Sequence, residues 1–220
     1  FLPTDFGRVS DAMMESATDN SVYTWENNSI YYITNGIWSP LKRVDDGWSF
    51  WNGVRSANLF LEDFDPKVLE RFQYNEDYDE MIDKASKFSL EVRFLRAFYL
   101  FELAKRYGDI PLITRTYTQE EINSVRKTSF ADVIDFIAKE CTEITREGGL
   151  PEDGVRGETG RVTKGAALAL KSRALLYAAS ELHNPGHDLT KWEAAAKAAY
   201  EVIKMNKYQL PKVSTDPLYS

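Results

Sequence analysis

The side chains of this chain most able to do chemistry are its two histidines and its single cysteine. His183 and His187 are four residues apart, but Pro185 and Gly186 lie between them and prevent a shared helical face. With no third ligand nearby in the sequence, this pair does not indicate a metal site. Cys141 continues an apolar stripe of helical spacing, so we expect a small buried hydrophobe and not a nucleophile. These residues therefore predict no catalytic residue, no metal site and no cofactor.

Two further patterns suggest chemistry but have simpler interpretations. The adjacent acids Asp45 and Asp46 could serve glycoside hydrolysis, yet adjacent carboxylates more often cap a helix. Residues 160–165 read G-R-V-T-K-G, which does not match the order of a phosphate-binding loop, and a glycine-rich turn entering a helix is the simpler interpretation. A glycosidase stays open as an alternative. It would need two carboxylates about 5–10 Å apart in a cleft.

Composition and charge narrow the class of protein. At 220 residues, with 43% hydrophobic and 28% charged residues, the chain resembles an ordinary globular protein of one large or two small domains. The net charge of −7 is concentrated between Glu62 and Asp83, where nine acids stand against two bases. Because no basic patch is present, nucleic-acid binding is disfavoured. The acidic segment predicts a solvated helix surface; calcium binding is the alternative, although no loop shows the required ligand spacing.

The elements that must position any site are helical. Residues 88–107 carry apolar side chains on every side, which predicts a helix buried nearly all round, and Gly108 and Pro111 end it. Arg93 and Arg96 lie within this apolar helix, so each guanidinium group must either pair with a counter-charge or extend to solvent.

The remaining helices are predicted from periodicity and capping residues. A helix over residues 47–62 includes Trp48, Phe50 and Trp51, which we expect in the core. Asp65 caps the next helix, which begins at Pro66 and breaks near Asn75. Two helical hairpins follow: residues 88–107 pair with 130–146, capped by Thr128 or Ser129, and residues 164–182 pair with 192–205, entered through a capping box at 190–193.

Three sequence blocks resemble one known family. Residues 91–112 read E-V-R-F-L-R-A-F-Y-L-F-E-L followed by Y-G-D-I-P-L, residues 51–58 read W-N-G-V-R-S-A-N, and residues 160–167 read G-R-V-T-K-G-A-A. Together, in this order, they resemble the SusD/RagB family of cell-surface nutrient-binding lipoproteins. The resemblance implies an all-α fold of tetratricopeptide-like hairpins with a loop-rich N-terminal segment. It runs through most of the chain but covers only part of the family's usual length.

The resemblance also implies a function and a location. The resemblance implies a protein that is not an enzyme but binds nutrient oligosaccharide, or alternatively peptide, and delivers it to a SusC-like TonB-dependent transporter. Such a protein lies at the cell surface of the outer membrane, held by an N-terminal lipid anchor. This chain contains no residues for that anchor, and no signal peptide is visible in it.

The candidate ligand-binding face is the segment 1–44, ahead of a helical scaffold over residues 45–220. Its aromatics Tyr23, Trp25, Tyr31, Tyr32 and Trp38 fall where regular structure is weak and amides abound, including Asn27 and Asn28. Aromatic planes flanked by amides and carboxylates match the apolar face and hydroxyl rim of a sugar. The alternatives are that these rings merely pack the segment onto the helices, or that the protein is an adaptor binding peptides on its concave helical faces. The residues predicted to bind ligand are Asp19, Asn20, Tyr23, Trp25, Asn35 and Trp38.

Overall fold

The computed structural model is an all-α arrangement, which confirms the predicted fold class. Seven α-helices, a two-stranded hairpin and two 3₁₀ helices are found in the part of the chain that the structure describes. No helix in that part combines the length and the hydropathy needed to cross a bilayer. The structure describes residues 8–9, 12–39, 41–42, 44, 47–153 and 160–209.

The N-terminal segment is irregular, as predicted, and the regular elements described in it are all short. Strands β1 (Arg8–Val9) and β2 (Ala12–Met13) form an antiparallel hairpin. A 3₁₀ helix (Met14–Ala17) and the one-turn helix α1 (Tyr31–Thr34) follow. The predicted cap formed by Asp45 and Asp46 lies outside the described residues.

Helix α2 (Phe50–Asp63) packs against the long helix α3 (Tyr78–Tyr107). The contact is close because Gly53 has no side chain: a Cβ added there would lie 2.5 Å from the Tyr99 ring. Between the two helices, Asp65 caps a 3₁₀ helix (Pro66–Phe72), accepting a hydrogen bond from the Lys67 backbone N–H. The cap was predicted, whereas the 3₁₀ form was not. All nine acids of the predicted solvated surface are exposed.

The expectation that residues 88–107 are buried nearly all round is confirmed up to Arg106, whereas Tyr107 is 39% exposed. No residue from Lys87 to Arg106 is exposed, and the helix ends at Gly108, whose φ is +70°. Helix α3 begins ten residues before the predicted boundary because Tyr78, Met81 and Ile82 extend its half-buried face.

Helix α5 (Phe130–Ile144) forms a hairpin with α3, and a short helix that periodicity does not reveal, α4 (Gln119–Ser124), lies in the connection. Ser129 is the N-cap of α5 and accepts from the Asp132 backbone N–H. The predicted apolar stripe of α5, which includes Cys141, is buried against the core.

The second hairpin joins α6 (Lys164–Ala179) to α7 (Leu189–Lys204). Its predicted capping box is wrong. The N-cap of α7 is Asp188, whose carboxylate accepts from the Thr190 backbone N–H and hydroxyl. Glu193, the supposed reciprocal partner, pairs instead with Lys197 one turn further on. An aspartate two residues earlier therefore begins the helix sooner than the Thr-x-x-Glu pattern indicates.

The two arginines of α3 are both paired, as their position required: Arg96 is buried and Arg93 is half-buried. Arg93 makes two hydrogen bonds to the Glu140 carboxylate, from Nε at 3.0 Å and from Nη2 at 2.7 Å, and a third to Glu143. Arg96 reaches Glu140 at 3.1 Å and Asn58 Oδ1 at 3.0 Å. This network, Arg93–Arg96–Glu140–Asn58, joins α2, α3 and α5 and satisfies charges that would otherwise be costly to bury.

Candidate functional site

A small separate core positions the candidate ligand face. Ala12 and Ile30 are fully buried, and half-buried apolar residues including Tyr23 and Tyr31 pack around them. The Tyr31 hydroxyl donates a hydrogen bond to the Tyr23 backbone carbonyl, and Asn28 Oδ1 accepts from the Ile30 backbone N–H at 2.9 Å. These bonds hold the loop before α1 against that helix. The loop and the small core thus form a fixed surface, called the floor here, that supports the neighbouring side chains.

A groove of about 410 Å³ opens beside this floor. Its chemistry is polar and nearly neutral: three amides offer both donors and acceptors, two tyrosines offer ring faces, and one carboxylate is present. This volume lies within the range of ordinary small-molecule sites. The described lining residues are Glu26, Asn27, Asn28, Tyr31, Tyr32, Asn35 and Ile37.

The six predicted ligand residues are not all brought together. Asn35 lines the groove. Trp25 and Trp38 are 70% and 53% exposed, and the Trp25 ring meets the Tyr23 ring edge-on at 6.1 Å between centroids. Tyr23 is half-buried in the small core, so its ring partly packs the segment, as the alternative interpretation expects. Its ring also supports that of Trp25.

Asp19 and Asn20 lie in the exposed turn after the 3₁₀ helix, outside the groove lining. The Asn20 amide donates to Glu15 at 2.6 Å, and its backbone N–H bonds to the Thr18 hydroxyl at 3.2 Å. These bonds stabilise the turn, and the part of Asn20 in ligand binding stays a prediction.

Sequence reasoning missed two groove residues, Glu26 and Ile37. Each is adjacent in sequence to a predicted ligand residue, Trp25 or Trp38, and this adjacency was the one feature of the sequence that pointed to them. Neighbouring residues in an irregular segment point in different directions, and which of them faces a groove is decided by tertiary packing. The same holds for Tyr32, whose ring lies 5.6 Å below the ammonium of Lys42.

Trp48 departs from its predicted place in the core. It precedes α2 in a turn and is 61% exposed, whereas Phe50 is buried and Trp51 packs partly buried against the core. The Trp48 ring contacts Trp51 and Tyr107 edge-on, with centroids 6.4 and 5.9 Å apart. The helix begins at Phe50, so Trp48 lies outside the helical register from which its burial was inferred.

The adaptor alternative has its own groove, of about 390 Å³, where α5, α6 and α7 meet. Lys171 and Glu201 form an ion pair of 2.9 Å there, and Lys164 pairs with Glu152 at 3.0 Å. Four of the five described charged side chains that line this groove pair with each other, which leaves fewer ionic contacts for a ligand.

Cys141 and His183, two of the residues most able to do chemistry, pack into the scaffold. Cys141 is fully buried, and burial raises the pKa of its thiol to about 12, so the reactive thiolate is disfavoured. The His183 ring stacks on Phe130, and burial followed by the Lys191 charge lowers its pKa. Among the described residues, no group of three or more possible metal ligands is found.

The three sequence blocks that carry the family resemblance also form scaffold contacts. Asn58 donates to the backbone carbonyls of Ile113 and Arg115 and so holds the loop after α3. Arg161 makes two hydrogen bonds to Glu91, joining the entry of α6 to α3. Gly160 has a φ of +95°, and Thr163 caps α6, which confirms the glycine-rich turn predicted for this block.

The structure combines tetratricopeptide-like α-hairpins with a loop-rich segment that carries an amide- and tyrosine-lined groove. A family model described as "Starch-binding associating with outer membrane", for SusD-like proteins, matches residues 6–176. The chain belongs to the SusD-like family, as its three sequence blocks suggested. Among curated protein sequences, none matches this chain.

Solved structures agree with this assignment. A SusD-like protein from Bacteroides fragilis is 30% identical over 90% of this chain, with a TM-score of 0.67. A SusD-like carbohydrate binding protein from the same species is 26% identical over 90%, with a TM-score of 0.66. A laminarin-binding SusD-like protein is 27% identical over 79%, with a TM-score of 0.59. The matches cover 35%, 34% and 33% of those proteins, so this chain spans about a third of their length.

Proposed function

We propose that this chain binds oligosaccharide without chemical change, as part of a nutrient-uptake protein at the outer membrane. In this proposal residues 1–44 are the ligand face and residues 45–220 the scaffold. The bound glycan then passes to a SusC-like TonB-dependent transporter, and the protein is held to the cell surface by a lipid anchor. The family description and a relative that binds laminarin support the carbohydrate as ligand.

The observation that carries the proposal is the groove beside α1 together with the exposed tryptophans that flank it in sequence. Sugar hydroxyls both donate and accept hydrogen bonds, and the amides of Asn27, Asn28 and Asn35 do the same. The apolar face of a pyranose matches an exposed ring such as Trp25 or Trp38. Several weak contacts of this kind favour capture with fast release over one tight pocket.

The test is a calorimetric titration of the protein with starch- and laminarin-derived oligosaccharides. Trp25→Ala and Trp38→Ala should each weaken binding by roughly 5- to 30-fold, since losing one stacking contact costs about 1–2 kcal/mol. The matched control is Trp192→Ala, which removes a tryptophan that is 46% exposed on α7 of the scaffold. Circular dichroism should be unchanged in all three variants.

Three results would contradict the proposal. If the protein binds no member of a broad panel of neutral glycans, carbohydrate is excluded as its ligand. Equal weakening by Trp192→Ala would move the ligand to the scaffold, as the adaptor alternative requires, and peptide binding at the second groove would support that alternative. Release of sugar from a chromogenic glycoside would instead identify a glycosidase.

A further inference from the structure

The sequence contains two Asn-Gly dipeptides, Asn35-Gly36 and Asn52-Gly53, and the structure places them in opposite backbone environments. Asparagine followed by glycine is the pair most prone to deamidation, because glycine leaves its backbone nitrogen unshielded and lets the chain rotate. Both asparagines are exposed, so access to water does not distinguish them. The backbone does.

Asn52-Gly53 lies near the start of the 14-residue helix α2, and its glycine packs directly against the Tyr99 ring. Asn35-Gly36, by contrast, follows a helix of only four residues. Gly36 has a φ of +68°, and nothing lies within 4 Å of the position that a Cβ would occupy. Its N–H makes a 3.1 Å turn bond to the Ile33 carbonyl, and single helical turns open readily in water.

We propose that Asn35 is a site of spontaneous deamidation that changes the charge of the groove. The Gly36 backbone nitrogen, after losing its proton to water or hydroxide, attacks Cγ of Asn35. A C–N bond forms, the Cγ–Nδ2 bond breaks, and ammonia leaves with a proton from solvent. Water then opens the cyclic imide at either carbonyl to give aspartate or isoaspartate. The net reaction consumes one water and releases one ammonia.

The consequence for binding rests on the proposed function of the groove. Deamidation replaces a neutral amide, which donates and accepts, with a carboxylate, which only accepts. Of the described lining residues Glu26 is the one with a charged side chain, so the product places a second negative charge in the same groove. The isoaspartate form also adds a methylene to the backbone of the turn. Both changes should weaken binding of a neutral glycan, and the added charge should disfavour an anionic one further.

The test begins with the whole chain incubated in mildly alkaline buffer and sampled over days by peptide mapping. We expect the peptide containing Asn35 to gain about 1 Da and to yield isoaspartate, while the peptide containing Asn52 stays unchanged. In denaturant both should convert, because the helix that protects Asn52 is then lost. Asn35→Gln should abolish the early acidic species seen by ion exchange. Equal rates at the two sites in the folded protein would overturn the proposal.

The effect on the groove is measured separately. The deamidated and unmodified fractions are resolved by ion exchange and titrated with the same neutral oligosaccharide. We expect roughly tenfold weaker binding by the deamidated fraction, with Asn35→Asp matching it. Equal affinity of the two fractions would refute the claim that deamidation weakens binding, and would leave the modification itself untouched. Failure of the unmodified fraction to bind any glycan would refute the proposed function, while the mass measurement would still decide the modification.

Discussion

The buried charge network of the core gives the sharpest stability prediction. Glu140 and Arg96 are 7% and 8% exposed, and Glu140 is the carboxylate that neutralises Arg96. Glu140→Gln keeps the size of the side chain but removes its charge. Arg93 retains Glu143, whereas Arg96 is left with neutral acceptors only, Asn58 and a backbone carbonyl. The variant therefore leaves one buried cation without a counter-ion.

Removing one partner of a buried ion pair costs about 3–5 kcal/mol. Each kcal/mol lowers the melting temperature by about 2–4 °C in a domain of this size, so Glu140→Gln should lower Tm by roughly 6–20 °C. The measurement is thermal unfolding followed by circular dichroism. The matched control is Glu143→Gln, which removes the outer, partly exposed partner of Arg93 and should lower Tm by only a few degrees.

A double substitution separates the unpaired charge from a loss of packing. In an Arg96→Met background no buried cation remains at that position, so Glu140→Gln should cost far less than it does in the unmodified protein. If Glu140→Gln lowers Tm no more than Glu143→Gln does, or costs the same with and without Arg96, the charge argument is wrong. The network would then act through shape alone.

Two further predictions concern packing and pH. Gly53→Ala should destabilise the protein by about 1–3 kcal/mol, because the new Cβ meets the rigid Tyr99 ring, while Gly186→Ala, with open space around it, should be neutral in the same urea titration. Hydrogen bonds from Arg115 above all lower the pKa of Glu121 from its ordinary 4.5 to about 2, so this pairing stabilises the fold above pH 4.5 and is lost as the pH falls toward 2. Glu121→Gln should therefore show a smaller loss of Tm across that pH window, and an equal loss would exclude this contribution.

Much of the scaffold was predictable because its signals are local. Apolar residues on every side of residues 88–107 predicted burial, and the two arginines among them predicted the pairing that Glu140 provides. Prediction failed at two helix starts. At α7 the Asp188 cap took precedence over the Thr-x-x-Glu pattern, and at Trp48 the helix began later than periodicity implied.

The candidate site was less predictable, because its residues lie in an irregular segment where neighbours have no fixed direction. Of the six predicted ligand residues Asn35 lines the groove, whereas Glu26 and Ile37 line it without having been singled out. Composition singled out a segment rich in aromatics and amides, and a groove lies within it. Which side chains face a common space depends on the Tyr31 and Asn28 hydrogen bonds that fold the segment.

This contrast separates what the family resemblance can and cannot tell. The residues of its three blocks are engaged in holding helices together: Gly53 admits Tyr99, Arg161 binds Glu91, and Arg96 meets its counter-ion in the core. Such residues identify the scaffold and say nothing of the ligand. The groove is built instead from residues outside those blocks, so two members of this family can share the same core and bind different glycans. Under the proposal that residues 1–44 are the ligand face, transfer of that segment onto a related scaffold should change which oligosaccharide the scaffold binds in a calorimetric titration, and an unchanged preference would contradict it.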